Sequence, residues 1–163
     1  MIVILHNIRS IYNVGSIFRT ADAVGIEKIY LCGITPSPLD RFNAPIQKFT
    51  KVSLGAEKTV QWEFIKRTSV VINRLKEGGY KIVAIEQSKK STPYYKFNPL
   101  AGGQKLKKTV LVLGNEVRGL PSSILKKSDT ILEIPMYGKK ESLNVAVAFG
   151  IVSFYFIIKN NDE

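Results

Sequence analysis

Short, nearly continuous apolar segments alternate along the chain with segments in which apolar residues recur every three or four positions. Apolar segments rich in Val and Ile and bounded by turn residues predict buried strands. These predicted strands are Ile2–Leu5, Lys28–Cys32, Lys81–Ile85, Thr109–Leu113 and Thr130–Ile134. The predicted helices are Val14–Val24, Thr68–Glu77, Ser122–Lys127 and Leu143–Ile158. This alternation predicts an α/β fold with a mostly parallel sheet and helices on both faces.

The 163 residues are enough for one domain, and the sequence contains no internal repeat and no interdomain linker. The last helix, with its 14-residue apolar run Val145–Ile158, is shorter than the roughly 20 residues that a membrane span needs. The first ten residues also lack the basic start and the cleavage site of a signal peptide. We therefore predict a single cytoplasmic domain, residues 1–163, without membrane attachment.

The charge of the chain narrows the choice of partner. Lys and Arg number 24 against 13 Asp and Glu, which gives a formal net charge of +11. Such a surplus on a compact domain indicates a polyanionic partner, most commonly a nucleic acid. One cysteine and one histidine exclude an intramolecular disulfide framework and a cysteine-rich zinc site, so we predict no metal.

The basic residues concentrate in one long irregular segment. Between Gln87 and Asn115 the sequence has no acidic residue, and tyrosines interleave with lysines. This pattern predicts phosphate contacts and base stacking, although a solvated lysine-rich loop has the same composition. The predicted RNA-binding residues are Arg9, Lys89, Lys90, Tyr94, Tyr95, Lys96 and Arg118.

The first of three segments with candidate chemistry runs from Asn7 to Asp22. Asn13 precedes the predicted helix and has the side chain of a helix N-cap. Arg19 falls on the helix face opposite the apolar stripe, mainly among small residues, which leaves room for a large partner. The alternative is an exposed ion pair between Arg19 and Asp22, which contributes ~0–1 kcal/mol.

Two further segments follow predicted strands, where ligands bind in parallel α/β sheets. In residues 111–121, Gly114 allows close backbone approach to a ligand, and Glu116 occupies a turn that does not itself require a carboxylate. In residues 134–148, Ser142 is a candidate N-cap, and Asn144 either seeks buried partners or simply caps the helix. The glycine fingerprints of dinucleotide and P-loop sites are both absent from the sequence.

Together, in this order, the three segments resemble motifs 1, 2 and 3 of the SpoU (TrmH-type) RNA methyltransferases of the SPOUT superfamily. The resemblance extends from Asn7 to about Ala148 and includes the Leu54–Glu57 stretch. It implies transfer of a methyl group from S-adenosyl-L-methionine to a ribose 2′-hydroxyl of tRNA or rRNA, with tRNA favoured. It also implies a deep C-terminal trefoil knot and a homodimer with each active site at the subunit interface.

The resemblance assigns roles to individual residues. The implied catalytic residues are Asn13, Arg19, Glu116, Ser142 and Asn144. The implied cofactor-binding residues are Gly114, Ile134, Met136 and Leu143, to which we add Ile85 and Gln87 as an expected wall of the pocket. Many members of this family have an additional RNA-binding domain, and we expect this chain to have no separate one.

Two alternatives to ribose methylation stay open. Other SPOUT branches methylate a base nitrogen, and a chain with this fold could serve as a non-catalytic RNA-binding module. The three motifs favour the ribose branch over the first alternative, and the full set of catalytic-position residues argues against the second.

Overall fold

The computed structural model describes residues 1–103 and 105–161, with side chains through residue 160. Its larger elements are β1 (Ile2–His6), α1 (Ile11–Ala23), β2 (Lys28–Cys32), α2 (Gln47–Ser53), α3 (Ala56–Thr59), β3 (Gln61–Ile65), α4 (Thr68–Glu77), β4 (Lys81–Ile85), β5 (Thr92–Pro93), β6 (Thr109–Leu113), α5 (Ser122–Leu125), β7 (Thr130–Glu133) and α6 (Val145–Asn161). Short 3₁₀ turns lie at Tyr94–Lys96, Ala101–Gly103 and Leu106–Lys108.

All the strand pairs described are parallel, in the order β3-β2-β1-β6-β4-β7-β5. The predicted α/β fold with a parallel sheet is therefore confirmed. The chain adds β2 and β3 on one side of β1, and the later strands β4 to β7 lie on the other side of β1. Such a reversal creates a crevice at the carboxyl ends of the strands. The knot implied by the resemblance stays a prediction.

Alternate residues of the central strands belong to two separate hydrophobic cores, one on each face of the sheet. On one face, Val3, Leu111 and Leu113 pack with the fully buried Phe149 and Phe156 of α6 and with residues of α1 and α2. On the other face, strand residues pack against α4 and α5. Burial on both faces explains why the central strands have continuous apolar sequences.

Two strands and two short helices were not predicted. All five residues of the edge strand β3 are exposed or partly exposed, and its sequence, QWEFI, is mixed, while β5 has only two residues. The helices α2 and α3 have seven and four residues, which is too short for a clear helical period.

The last helix forms as expected, from Val145 rather than Leu143. In residues 1–103 and 105–161, no helix has both the length and the hydropathy needed to traverse a bilayer. The buried residues of α6 complete the hydrophobic core over β1 and β6.

Candidate active site

A cavity of about 330 Å³ opens at the carboxyl ends of β4, β6 and β7. Its walls come from the strand end at Ile85–Gln87, the turn at residues 113–119 and the chain that leads from β7 into α6. Small-molecule pockets measure about 300–1,000 Å³ and occur at this position in parallel α/β sheets. The second and third candidate segments therefore form one pocket.

The structure brings all six predicted cofactor-binding residues to this cavity. They are Ile85, Gln87, Gly114, Ile134, Met136 and Leu143. Gln87 also reaches across the opening, because its side-chain amide donates to the Glu141 carbonyl at 2.6 Å. The cavity thus has apolar walls from Ile85, Ile134 and Met136 and a polar bridge at its mouth.

Glu116 connects the second segment to the first. Its two carboxylate oxygens accept from the backbone N–H groups of Arg9 at 2.9 Å and Ser10 at 3.0 Å, and from the Asn13 amide at 3.0 Å. Partial burial raises the pKa of the Glu116 carboxyl, but these N–H donors and its own backbone N–H outweigh burial and hold the pKa below its ordinary value. The ionised carboxylate is thus the acceptor around which the loop before α1 is ordered.

Asn144 connects the third segment to the same network. Its side-chain oxygen accepts from the Ala146 N–H at 2.9 Å, and its amide donates to the Asn13 side-chain oxygen at 3.0 Å. Asn144 therefore caps α6, as one of the two sequence interpretations proposed, while it also contacts Asn13. A continuous chain of hydrogen bonds, Asn144–Asn13–Glu116, joins all three segments at one end of the cavity.

Both other predicted N-caps are wrong. Ser10 caps α1, because its hydroxyl accepts from the Asn13 N–H at 3.3 Å and the helix begins at Ile11. This leaves the Asn13 side chain free to bind Glu116 and Asn144. Ser142 lies before the true cap of α6 and lines the cavity instead. In each case the side chain predicted to cap a helix faces the site.

Asn7 links the same loop to the strands beside it. Its φ of 56° is left-handed, a conformation that Asn tolerates better than most residues. The Asn7 carbonyl accepts from the Asn115 amide at 2.7 Å, and its side-chain oxygen accepts from the Ile34 N–H at 3.1 Å. Its amide contacts the ring of His6, which lies within hydrogen-bond distance of Thr68 rather than at the cavity.

Arg19 lies apart from this network. It is exposed on α1, does not line the cavity, and forms no ion pair with Asp22 among the described residues. Asp22 instead accepts from the Thr59 hydroxyl. Gly15, one of the small residues near Arg19, packs against α2, since a Cβ there would meet the Phe49 carbonyl oxygen at 3.1 Å. The exposed guanidinium is therefore available to a partner, although the small residue beside it packs on α2.

Gly114 is needed for a reason that the sequence did not reveal. A Cβ at this position would lie 2.6 Å from the Gly119 carbonyl carbon and 2.7 Å from the Leu120 nitrogen. The absent side chain thus permits close approach of the turn at Gly119 and Leu120. Gly119 itself has a φ of 63°, which favours glycine.

Glu86 is a site residue that the sequence analysis missed. Its carboxylate lines the cavity and accepts from the Leu120 N–H at 2.7 Å and from the Gln87 N–H at 3.0 Å. It therefore fixes the 113–120 turn against the end of β4. A Glu directly after a buried strand was the available signal, because carboxylates at strand ends often serve the site.

The cavity wall is acidic although the chain as a whole is basic. Four glutamates line it: Glu86, Glu116, Glu133 and Glu141. In contrast, the predicted RNA-binding cations Arg9, Lys89, Lys90, Lys96 and Arg118 are all exposed. A small cation suits the interior, and a polyanion suits the surrounding surface.

The aromatic residues of the basic segment are partly occupied by packing. Tyr94 lies edge-on to Tyr155 at 5.2 Å between ring centroids, and Phe97 stacks on Phe156. Tyr95 is 47% exposed and is the tyrosine of this segment with the most accessible ring. RNA contact by the segment stays a prediction.

Comparison with known proteins gives a consistent result. The model of the SpoU rRNA Methylase family matches residues 1–154. A tRNA (guanosine(18)-2′-O)-methyltransferase of Aquifex aeolicus is 33% identical over 94% of this chain and 67% of its own length. A 23S rRNA (guanosine-2′-O-)-methyltransferase RlmB of Neisseria meningitidis is 30% identical over 93% of this chain and 56% of its own length.

Solved structures agree with the sequence relatives. The A. aeolicus TrmH/SpoU tRNA modifying enzyme superposes with a TM-score of 0.82 and 30% identity, over 99% of this chain and 75% of that one. An AdoMet-bound rRNA methyltransferase from Sinorhizobium meliloti gives 0.81 and 30%, over 94% and 54%. The chain thus spans little more than half the length of several of the proteins it matches.

Replacing Glu116 by Gln should make stability less dependent on pH. A lowered carboxyl pKa contributes stability that is present above the unfolded-state pKa and is lost as pH falls through the folded-state pKa. Urea denaturation from about pH 7 to about pH 3 should therefore show wild type more stable than E116Q at neutral pH, with the gap closing in acid. The matched control is E77Q, at an exposed carboxylate of α4. A gap that stays constant with pH would show that the charge of Glu116 does not order the loop.

Proposed function

Because the chain belongs to the SpoU rRNA methylase family, we propose that it transfers the methyl group of S-adenosyl-L-methionine to a ribose 2′-hydroxyl of a structured RNA. The observation that carries this proposal is the contact of the first segment, through Asn13, with Glu116 and Asn144 of the second and third segments, which lie more than 100 residues later in sequence and meet it at one end of the cavity. tRNA is the favoured substrate over rRNA, and the named relatives act on one or the other. A cytoplasmic location accompanies this proposal.

The residues of the cavity fit the methyl donor. S-adenosyl-L-methionine carries a sulfonium and an ammonium, and the glutamates of the wall give the interior a complementary charge. Ile134, Met136 and Leu143 offer apolar surface to an adenosine, and the backbone after Leu113 offers donors and acceptors. We assign the donor to this cavity, with Ile85 and Gln87 as the opposite wall.

The donor supplies a methyl group that its sulfonium charge has already activated. The protein must then align the ribose hydroxyl, which is worth ~7–11 kcal/mol, and assist loss of its proton. Arg19 is assigned to hold the 2′-hydroxyl and the adjacent phosphate and to stabilise developing alkoxide charge. Arginine side chains stay protonated in proteins and have no free lone pair, so Arg19 is not assigned as the proton acceptor.

The remaining assigned residues act near Arg19 or the donor. Glu116 and Asn13 order the loop before α1, Asn144 fixes the start of α6, and Ser142 presents a hydroxyl at the cavity. Because Arg19 does not line the cavity, donor binding and activation of the ribose hydroxyl are assigned to different residues of the chain.

A homodimer is part of the proposal, and α6 supplies the supporting surface. Val147, Phe154 and Ile158 are 50%, 46% and 55% exposed, and their spacing of seven and four residues places them on one face of the helix. Exposed apolar stripes of this kind mark interaction surfaces. We assign the stripe to contact with a second copy, which would bring another α1, with its Arg19, towards the cavity.

The decisive test of the reaction uses tritium-labelled S-adenosyl-L-methionine, the purified protein and total tRNA or ribosomal RNA. Label in alkali-resistant dinucleotides would demonstrate a ribose 2′-O-methyl group. Label in a free base would instead support base methylation, and RNA binding without label would support a non-catalytic module. Either of the last two results would refute the proposed reaction.

Replacing Arg19 by Ala should slow methyl transfer strongly and spare donor binding. Loss of a group that stabilises developing negative charge costs about 10²–10³-fold in rate. Single-turnover methylation of tRNA should therefore fall by at least about 100-fold, while calorimetry gives an unchanged Kd for S-adenosyl-L-methionine. R67A, which removes an exposed arginine at the start of α4, is the matched control. An unaltered rate in R19A would remove Arg19 from the mechanism.

Replacing Phe154 by Lys should split the dimer. A charge in the centre of the α6 stripe must be desolvated for two copies to pair, which strongly disfavours association. Light scattering should give twice the 18.2 kDa chain mass for wild type and a single chain mass for F154K. V70K places the same charge at a 50% exposed apolar position of α4 and should stay dimeric. A wild-type protein that is monomeric at micromolar concentration would contradict the assignment of the stripe.

A further inference from the structure

A second depression, an open groove of about 570 Å³, runs along β7 between α5 and the segment that follows β4. Its lining differs from that of the cofactor cavity. Five hydroxyl-bearing residues face it, among them Ser88, Thr92, Ser122 and Thr130, and none of its lining residues is aromatic. A groove with this many hydroxyl groups suits a polar, oxygen-rich ligand.

The groove carries uncompensated positive charge. Lys90 lines one side and Lys126 the other. Asp129 is the acidic residue of the lining, and its charge is paired with a lysine outside the groove. Its carboxylate accepts from the Lys76 ammonium at 2.8 Å and from the Ile82 N–H at 2.8 Å. The two lysines therefore determine the sign of the local potential, and an anion is favoured.

The position of Lys90 is set by a turn in the backbone. The Ser88 N–H donates to the Ser91 hydroxyl at 3.1 Å, and the Lys90 N–H donates to the Ser88 hydroxyl at 3.3 Å. The Ser91 hydroxyl in turn donates to the Glu133 carboxylate at 2.8 Å, at the end of β7. Segment 88–91 is thus tied to the sheet, which places Lys90 at the groove.

The groove begins where the cofactor cavity ends. Glu86 and Gln87 line the cavity, and Ser88, the next residue, lines the groove. On the opposite side, Gly119 belongs to the cavity and Ser122 to the groove. The cavity and the groove are therefore lined by neighbouring residues of the same two segments.

We propose that this groove binds the sugar–phosphate backbone of the RNA substrate beside the methylated nucleotide. The inference rests on the proposed function and extends it by naming where the strand continues. Phosphate oxygens accept hydrogen bonds and carry negative charge, which the hydroxyls and ammonium groups complement. Without an aromatic platform or amide side chains, the groove contacts backbone and not bases, so its contribution is independent of sequence.

The test compares two double variants of equal charge loss. K90Q/K126Q removes the groove lysines, and K58Q/K81Q removes two exposed lysines outside it, on α3 and at the start of β4. Binding of total tRNA and of a ten-nucleotide oligouridylate is measured between about 50 and 200 mM salt. We expect K90Q/K126Q to bind RNA at least about fivefold more weakly than wild type. The slope of log K against log salt should also become shallower by about 1.4, because each phosphate contact on a single strand contributes about 0.7. K58Q/K81Q should change neither quantity to that extent.

Amide chemical shifts of the wild-type protein provide an independent readout. Oligouridylate should shift the signals of Ser88, Lys90, Ser122 and Lys126. Equal weakening in the two double variants, or an absence of shifts at these four residues, would overturn the groove assignment even if methylation is observed. Shifts at the groove in a protein that labels no RNA would support the groove and refute the methyl-transfer proposal.

Discussion

The candidate site depends on one carboxylate that a backbone loop surrounds. Glu116 accepts from two consecutive backbone N–H groups and an amide of the first segment, which holds the start of α1 against the turn after β6. These donors lie more than 100 residues away in sequence. Because an ionised acceptor makes stronger hydrogen bonds than a neutral one, a single side chain can fix the relative position of two loops that no regular secondary structure joins.

Next to this contact, the protein has an acidic cavity and a basic outer surface. The carboxyl-end crevice of the sheet forms an acidic cavity suited to a small cationic donor, lined by the ends of β4, β6 and β7, by the turns that follow β4 and β6 and by the start of α6. The surface outside is basic, with exposed lysines and arginines suited to a polyanion. Opposite charges on the wall and on the rim allow one domain to attract two substrates of opposite sign to adjacent places.

In a single chain, Arg19 and the cavity are separate. Arg19 projects from α1 and lies outside the cavity, whereas the apolar stripe of α6 is left uncovered. Pairing of two copies would cover the stripe and bring additional α1 residues near the donor. The proposed pairing would account for the apolar residues on the part of α6 that faces solvent.

The sequence by itself determined the five main strands, the long helices and the segments that form the site. A buried strand gives a continuous apolar run and a helix gives a regular spacing of apolar residues, and both are visible in a short stretch of sequence. The sequence did not reveal β3 or β5, since an edge strand and a two-residue strand bury too little to leave a pattern. Only the tertiary structure decided that Ser10, and not Asn13, caps α1, that Gly114 makes room for Gly119, and that Glu86 holds the turn. Those outcomes depend on which distant backbone groups meet a side chain, and local sequence does not encode such pairings.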